Sequence, residues 1–199
     1  KIRIESAIQN KYGVDVIPGS YFYDKEFSPL KLKDRLSKVR VQYDYIIIDS
    51  SPNLNDEILS AMIASDALFV VSTADYPTLS CSLRAAQLAK HRGKPISGII
   101  LNKIRDPAFE LSIKEIEEST GIPVVAKIYD EKEHVRSLFM RIPMSIYKRR
   151  SRFAKEIHSL NGAITGEKSS LNWIDRILPF HFKKEKVNRE LLKGNFYRN

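Results

Sequence analysis

Apolar positions along the chain alternate between unbroken runs and helical spacing, the pattern of strands and helices taking turns over a buried parallel sheet. Residues 14–18 predict a short strand ended by Pro18, residues 31–38 a helix with Leu32 and Leu36 four apart, and residues 43–48 (YDYIII) the strongest strand, delivering Asp49 at its end. Residues 56–64 follow as a helix carrying Ile58, Leu59, Met62 and Ile63, and residues 67–71 as another buried strand. A helix containing Leu83, Ala86, Leu88 and Ala89 stops before Gly93, and a strand over 96–101 ends at Asn102. Residues 109–120 predict a helix closed by Gly121, residues 123–128 a strand, and residues 151 to about 161 a last core helix. That order predicts an α/β fold, a doubly wound and mostly parallel sheet with helices on both faces. Ligands in such sheets bind at the carboxyl ends of the strands. The residues to inspect are therefore Pro18, Asp49, Ser72, Thr73, Asn102, Tyr129 and Asp130.

The 199 residues, 43% hydrophobic and 29% charged, suit one globular domain and exclude disorder or a fibrous repeat. The single cysteine, Cys81, builds no disulfide framework, favours a cytoplasmic setting and reads as a plain buried thiol. His91, His134, His158 and His181 have no partners at metal-ligand spacing. No apolar run approaches the roughly 20 residues that span a bilayer, and the opening KIRIESAIQN is not laid out as a signal peptide. Lys1, not methionine, opens the chain in helix-like character, so an N-terminal portion is expected to be missing. The net charge of +9 favours an anionic partner such as nucleotide phosphates, nucleic acid or anionic lipid.

Asp49, held after an apolar strand and followed by Ser50, Ser51 and Pro52, is placed as a Mg²⁺-positioning carboxylate would be; an aspartate there is also an ordinary turn former. Asn102 offers an amide donor and acceptor at a strand end, and equally serves as a strand-end cap. The wider segment bears on both. Residues 43–104, YDYIIIDSSPNLNDEILSAMIASDALFVVSTADYPTLSCSLRAAQLAKHRGKPISGIILNKI, resemble the MinD/ParA family of deviant Walker P-loop ATPases from the hhhhDxxP Walker B motif to the base-recognising asparagine. GVDVIPGS upstream and GIPVVAKIYDEKEHVRSLFMRIPMSIYKRRS downstream are similar to neighbouring segments of that family, so about residues 13–165 are covered. The resemblance implies that Asp49 positions Mg²⁺ through water, Pro52 turns the switch loop, Asn102 reads the adenine, and Ile128, Tyr129 and Asp130 line its pocket.

The chain departs from that pattern in three places. Tyr129 stands where the family has proline, and Asn53-Leu54-Asn55 replaces a glycine near the switch. No GxxxxGK[ST] phosphate loop occurs in the chain, so the fold is expected to lack its first β–P-loop–α unit, by truncation or degeneration, and this polypeptide to bind ATP poorly and hydrolyse it negligibly. Losing that unit predicts exposed apolar edges beside Ile46–Ile48.

Residues 1–166 read as the ATPase-like domain and 167–199 as a C-terminal amphipathic and basic tail. There Trp173, Ile174, Ile177, Leu178, Phe180 and Phe182 stand beside Lys183 and Lys184, the composition of an interfacial helix on anionic lipid, though the same face suits a helix docked on the core. The last residues read as a small helix, a partner-binding segment or disorder. The function implied is an ATP-dependent homodimerising switch that places cargo at the inner face of a membrane, with an activating protein the sequence does not specify. One alternative is a DNA-partition ATPase using Lys148, Arg149, Arg150 and Arg152 on phosphates; the other is an inactive scaffold of the same fold.

Overall fold

A computed structural model describes residues 4–19, 29–50, 56–94, 96–106, 108–166 and 187–196 of the chain. It divides into two compact units, Lys1–Asp66 and Ala67–Asn199.

The first unit begins with a single 3₁₀ turn, Ile4–Ala7. A hairpin follows, in which β1 (Gln9–Lys11) pairs antiparallel with β2 (Val14–Val16) in the register Gln9↔Val16. Tyr12 and Gly13 make its two-residue turn, both at positive φ (55° and 81°), the geometry that matches strand twist in tight hairpins. Asp15 accepts hydrogen bonds from Asn10 Nδ2 (2.8 Å) and from the Tyr43 hydroxyl (2.9 Å), and these donors hold its carboxyl below the usual aspartate range. Residues 14–16 are thus a solvent-exposed hairpin arm and not a buried parallel strand. Helices α1 (Pro29–Leu36) and α2 (Asp56–Ala64) pack together, α2 burying Ile58, Ser60, Ala61 and Met62.

The expected strand at 43–48 does not form. Tyr45, Ile46 and Ile47 are exposed, Ile47 to 92%, and no strand among the described residues pairs with this segment. An apolar run on both faces needs flanking strands and covering helices to be buried. Here Ile46 and Ile47 stay in solvent, Ile48 is half-buried, and Asp49 is exposed.

In the second unit β3 (Leu68–Ser72), β4 (Ile96–Ile104) and β5 (Val124–Tyr129) form a parallel sheet in the order β3-β4-β5. Helix α3 (Tyr76–His91) connects the first pair and α4 (Ile113–Thr120) the second. Short helices α5 (Glu133–Phe139) and α6 (Met144–Tyr147) then lead to α7 (Arg152–Thr165), and α8 (Arg189–Phe196) ends the described chain. Successive strand residues serve opposite faces. Val70, Ile99, Leu101 and Val124 pack with Leu79 and Ala86 of α3 and Ile113 and Ile116 of α4, while their neighbours Phe69, Ile100 and Val125 pack with Leu160 and Ala163 of α7 and Leu192 of α8. That alternation is why the strands read as continuous apolar runs, and it gives the sheet a helical layer on each face.

Helices α3, α4 and α7 start where side chains cap them. Asp75 accepts from Thr78 N (2.9 Å) at α3, and Ser151 from Ala154 N (3.0 Å) at α7. Ser112 and Glu115 form a reciprocal capping box, so α4 begins at Ile113 rather than at 109, where Phe109 is 90% exposed. Gly121 closes α4 at φ 66°, a left-handed conformation cheap only for glycine. Cys81 lies within α3 and is exposed, not buried as the sequence suggested.

Candidate functional site: the carboxyl ends of the parallel strands

The sheet brings three strand ends of the second unit to one edge. At the end of β3, Ser72 is buried and Thr73 donates its hydroxyl to Asp75. That bond, followed by the Thr78 amide, holds the Asp75 carboxyl below the usual range.

Asn102 was expected just past the end of a strand. Instead β4 continues to Ile104, and the ladder to β5 breaks between Leu101↔Lys127 and Ile104↔Tyr129, so Asn102 and Lys103 bulge out of it. Lys103 takes φ 56°, uncommon for a side chain with a Cβ. Bulges re-aim side chains beside binding sites, and backbone held at positive φ concentrates there. The half-buried Asn102 accepts from Lys103 N through Oδ1 (2.9 Å), and its amide nitrogen has no partner among the described residues.

The β5 end lies directly alongside. Asp130 N donates to the Ile104 carbonyl (2.9 Å), so the Tyr129–Asp130 loop is tied to the strand that carries Asn102. Ile128 is buried and Tyr129 half-buried. Two arginines hold this loop. Arg152, at the start of α7, stacks its guanidinium 3.6 Å above the Tyr129 ring, and Arg105 donates Nε to Asp130 Oδ2 at 2.8 Å. Arg105 is fixed at its backbone too, donating N–H to Glu110 Oε1 (2.8 Å). The other Glu110 oxygen is buried without a partner among the described residues. Further along, Phe153 N donates to Glu131 (2.7 Å) and the Phe153 ring meets His134 edge-on at 4.7 Å, which seats the N-terminus of α7 against the loop.

Of the residues singled out from sequence, Asn102, Ile128, Tyr129 and Asp130 are gathered at this edge. Asp49 belongs to the first unit. Pro52 and the tail residues Trp173, Ile174, Ile177, Leu178, Phe180, Phe182, Lys183 and Lys184 lie outside the described residues. The basic quartet is divided: Lys148 pairs with Glu133, which pushes the lysine up and the glutamate down from their ordinary values, and Arg152 is committed to Tyr129. Arg149 and Arg150 stay exposed. Arg105 and Glu110 were missed; their signal was the polar run NKIRDPAFE directly after an apolar strand. A groove of about 570 Å³ on α5 is lined by Lys132, Glu133, Val135, Arg136 and Phe139, and by none of the strand-end residues. Among the described residues no three potential metal ligands cluster, and no helix is long and apolar enough to cross a membrane.

The chain matches known proteins on both sequence and fold. Residues 13–89 match an AAA domain family. The whole chain aligns at 28% identity with an uncharacterized ATP-binding protein of Methanocaldococcus jannaschii, covering 74% of that protein. Its fold superposes at a TM-score of 0.73 on the septum site-determining protein MinD of Pyrococcus horikoshii in complex with Mg-ADP, at 22% identity, over 89% of this chain and 73% of that one. A ParA family ATPase of Chlorobium tepidum superposes at 0.67, also at 22% identity, over 79% and 66% of the two chains. At that identity the superpositions establish the fold, and the chain spans about two thirds to three quarters of each of these proteins. The parallel sheet covered on both faces and the superpositions agree: the chain is similar to the MinD and ParA proteins named above and shares their α/β fold.

Proposed function

We propose that the chain supplies the base-binding part of an ATP site and acts as a MinD-like switch, in which Mg-ATP drives homodimerisation and hydrolysis releases it. The observation that carries this reading is the bulged Asn102, with its uncommitted amide nitrogen, beside the clasped Tyr129–Asp130 loop. An amide that both donates and accepts matches the adenine N6 and N7 groups. Ile128 and Tyr129 supply an apolar and aromatic wall. Asp49 is assigned to Mg²⁺ through water; a single exposed carboxylate suits an ion that keeps several waters and takes only one or two protein carboxylates. Pro52 is assigned to the turn of the loop that follows. When bound, Mg-ATP would supply the phosphoanhydride to be hydrolysed; the chain's own residues seat the base and place the ion's outer ligand.

The bound surface in this reading is an anionic membrane, approached through the apolar and lysine-rich composition of residues 173–184. One such segment binds marginally, and two brought together in a dimer bind by avidity. The DNA-partition alternative rests on the exposed Arg149 and Arg150, with Lys148 paired to Glu133 and Arg152 stacked on Tyr129.

Titration of the 199-residue chain with ATP, with and without Mg²⁺, tests the site. Binding is expected to be far weaker than in proteins with a phosphate loop, to be lost in Asn102→Leu, and to lose its Mg²⁺ dependence in Asp49→Ala. Wild-type affinity in Asn102→Leu overturns the base assignment. For the membrane step, co-sedimentation with anionic vesicles is expected for the wild type and not for Trp173→Glu; equal pelleting of both removes the tail from the proposal.

A further inference from the structure

The contact between Arg105 and Asp130 clasps the loop beside Asn102, and it also sets which hydrogen-bonding groups that loop presents. Asp130 follows Tyr129, the partner of Ile104 across the bulged ladder, and its N–H donates to the Ile104 carbonyl, which places it at the same strand-end edge as Asn102. A carboxylate only accepts hydrogen bonds. Guanine presents two donors on its Watson–Crick edge, N1–H and N2–H, which match both oxygens of a carboxylate, whereas adenine presents one donor, N6–H, beside the N1 acceptor, which a bare carboxylate repels. A free Asp130 therefore favours guanine, and an Asp130 with Oδ2 engaged by a cation no longer offers guanine the matched pair of oxygens.

Arg105 supplies that cation. Its Nε–Oδ2 distance of 2.8 Å is that of a charge-assisted hydrogen bond, and the Glu110 bond to its backbone fixes the strand end from which it reaches. Arg105 is 74% exposed and Asp130 32% exposed. An ion pair in such a position contributes little to folding. Its consequence lies in which hydrogen-bonding face the loop offers. We propose that Arg105 is a selectivity-determining residue: by holding Asp130, it biases the base site toward adenine and against guanine nucleotides. This rests on the nucleotide-binding reading above.

The test compares Mg-ATP and Mg-GTP titrations of the full chain, followed by chemical-shift changes, in the wild type, Arg105→Ala, Arg105→Lys and Arg105→Ala/Asp130→Asn. The wild type is expected to prefer ATP. Arg105→Ala is expected to raise GTP affinity relative to ATP on the order of tenfold, the discrimination one base-edge contact provides. Arg105→Lys keeps a cation on Asp130 and is expected to hold the wild-type ratio; the double variant is expected to lose the gain for GTP. A merely structural arginine would weaken both nucleotides alike. An unchanged ratio in Arg105→Ala with ATP binding intact overturns this inference and leaves the nucleotide reading standing. Failure of the wild type to bind either nucleotide overturns both.

Discussion

Asp75 joins the end of β3 to the start of α3, accepting from the Thr73 hydroxyl and from the Thr78 amide at 2.9 Å. Both bonds favour its charged form, and its carboxyl titrates below the ordinary 3.8. A group whose folded value is depressed contributes stability that is fully present above its unfolded value and is lost as pH falls through the folded one. Stability measured by urea unfolding is therefore expected to fall below about pH 4, with less of that fall in Asp75→Ala. At neutral pH Asp75→Ala is expected to cost about 1 kcal/mol, the worth of an N-cap. The same carboxylate chemistry made Asp49 conspicuous in the sequence, but its surroundings differ: it follows a segment that no described strand supports. At this scale Asn102 was legible because a polar amide ends an apolar run. Its bulge was not, since a register shift belongs to the pairing of two strands and leaves no mark on one.

The elements of the second unit were the most legible. Strands at 67–71 and 123–128 were expected and Leu68–Ser72 and Val124–Tyr129 form, because each face of the sheet is covered by a helical layer and the apolar runs say so. In the first unit, α2 was expected at 56–64 and forms there. The hairpin was not foreseen, since Tyr12 gives no sign of the positive φ its turn requires. The run at 43–48 was misjudged for a physical reason: hydrophobicity reports what a segment can bury, and burial also needs neighbours. Between β4 and β5 the fit is close at Gly98. A Cβ there would lie 2.5 Å from Val125 Cγ1 and 3.1 Å from the Pro123 carbonyl oxygen. Gly98→Ala is expected to cost about 1–3 kcal/mol by overpacking, read from the urea midpoint; an unchanged midpoint would mean that Val125 yields freely.

Across the whole chain, the last described segment shows how far residues distant in sequence serve the sheet. Asn188 N donates to the Val124 carbonyl (2.9 Å), Arg189 pairs with Glu156 and donates to the Val125 carbonyl (3.2 Å), and Leu192 is completely buried against β5 and α7. The sequence left a helix, a partner segment and disorder open here, and the helix is what forms. An eight-residue helix is unstable alone and owes its place to that packing. Leu192→Ala is expected to cost about 2–5 kcal/mol in urea unfolding, the range for emptying a buried leucine site. The central claim is that the carboxyl ends of the parallel strands form a nucleotide-base site. Amide chemical shifts of the 199-residue chain titrated with ATP test it most directly. The account predicts saturable changes at Asn102, Lys103, Arg105, Tyr129 and Asp130; changes confined to other residues, or none up to high ATP concentration, would contradict it.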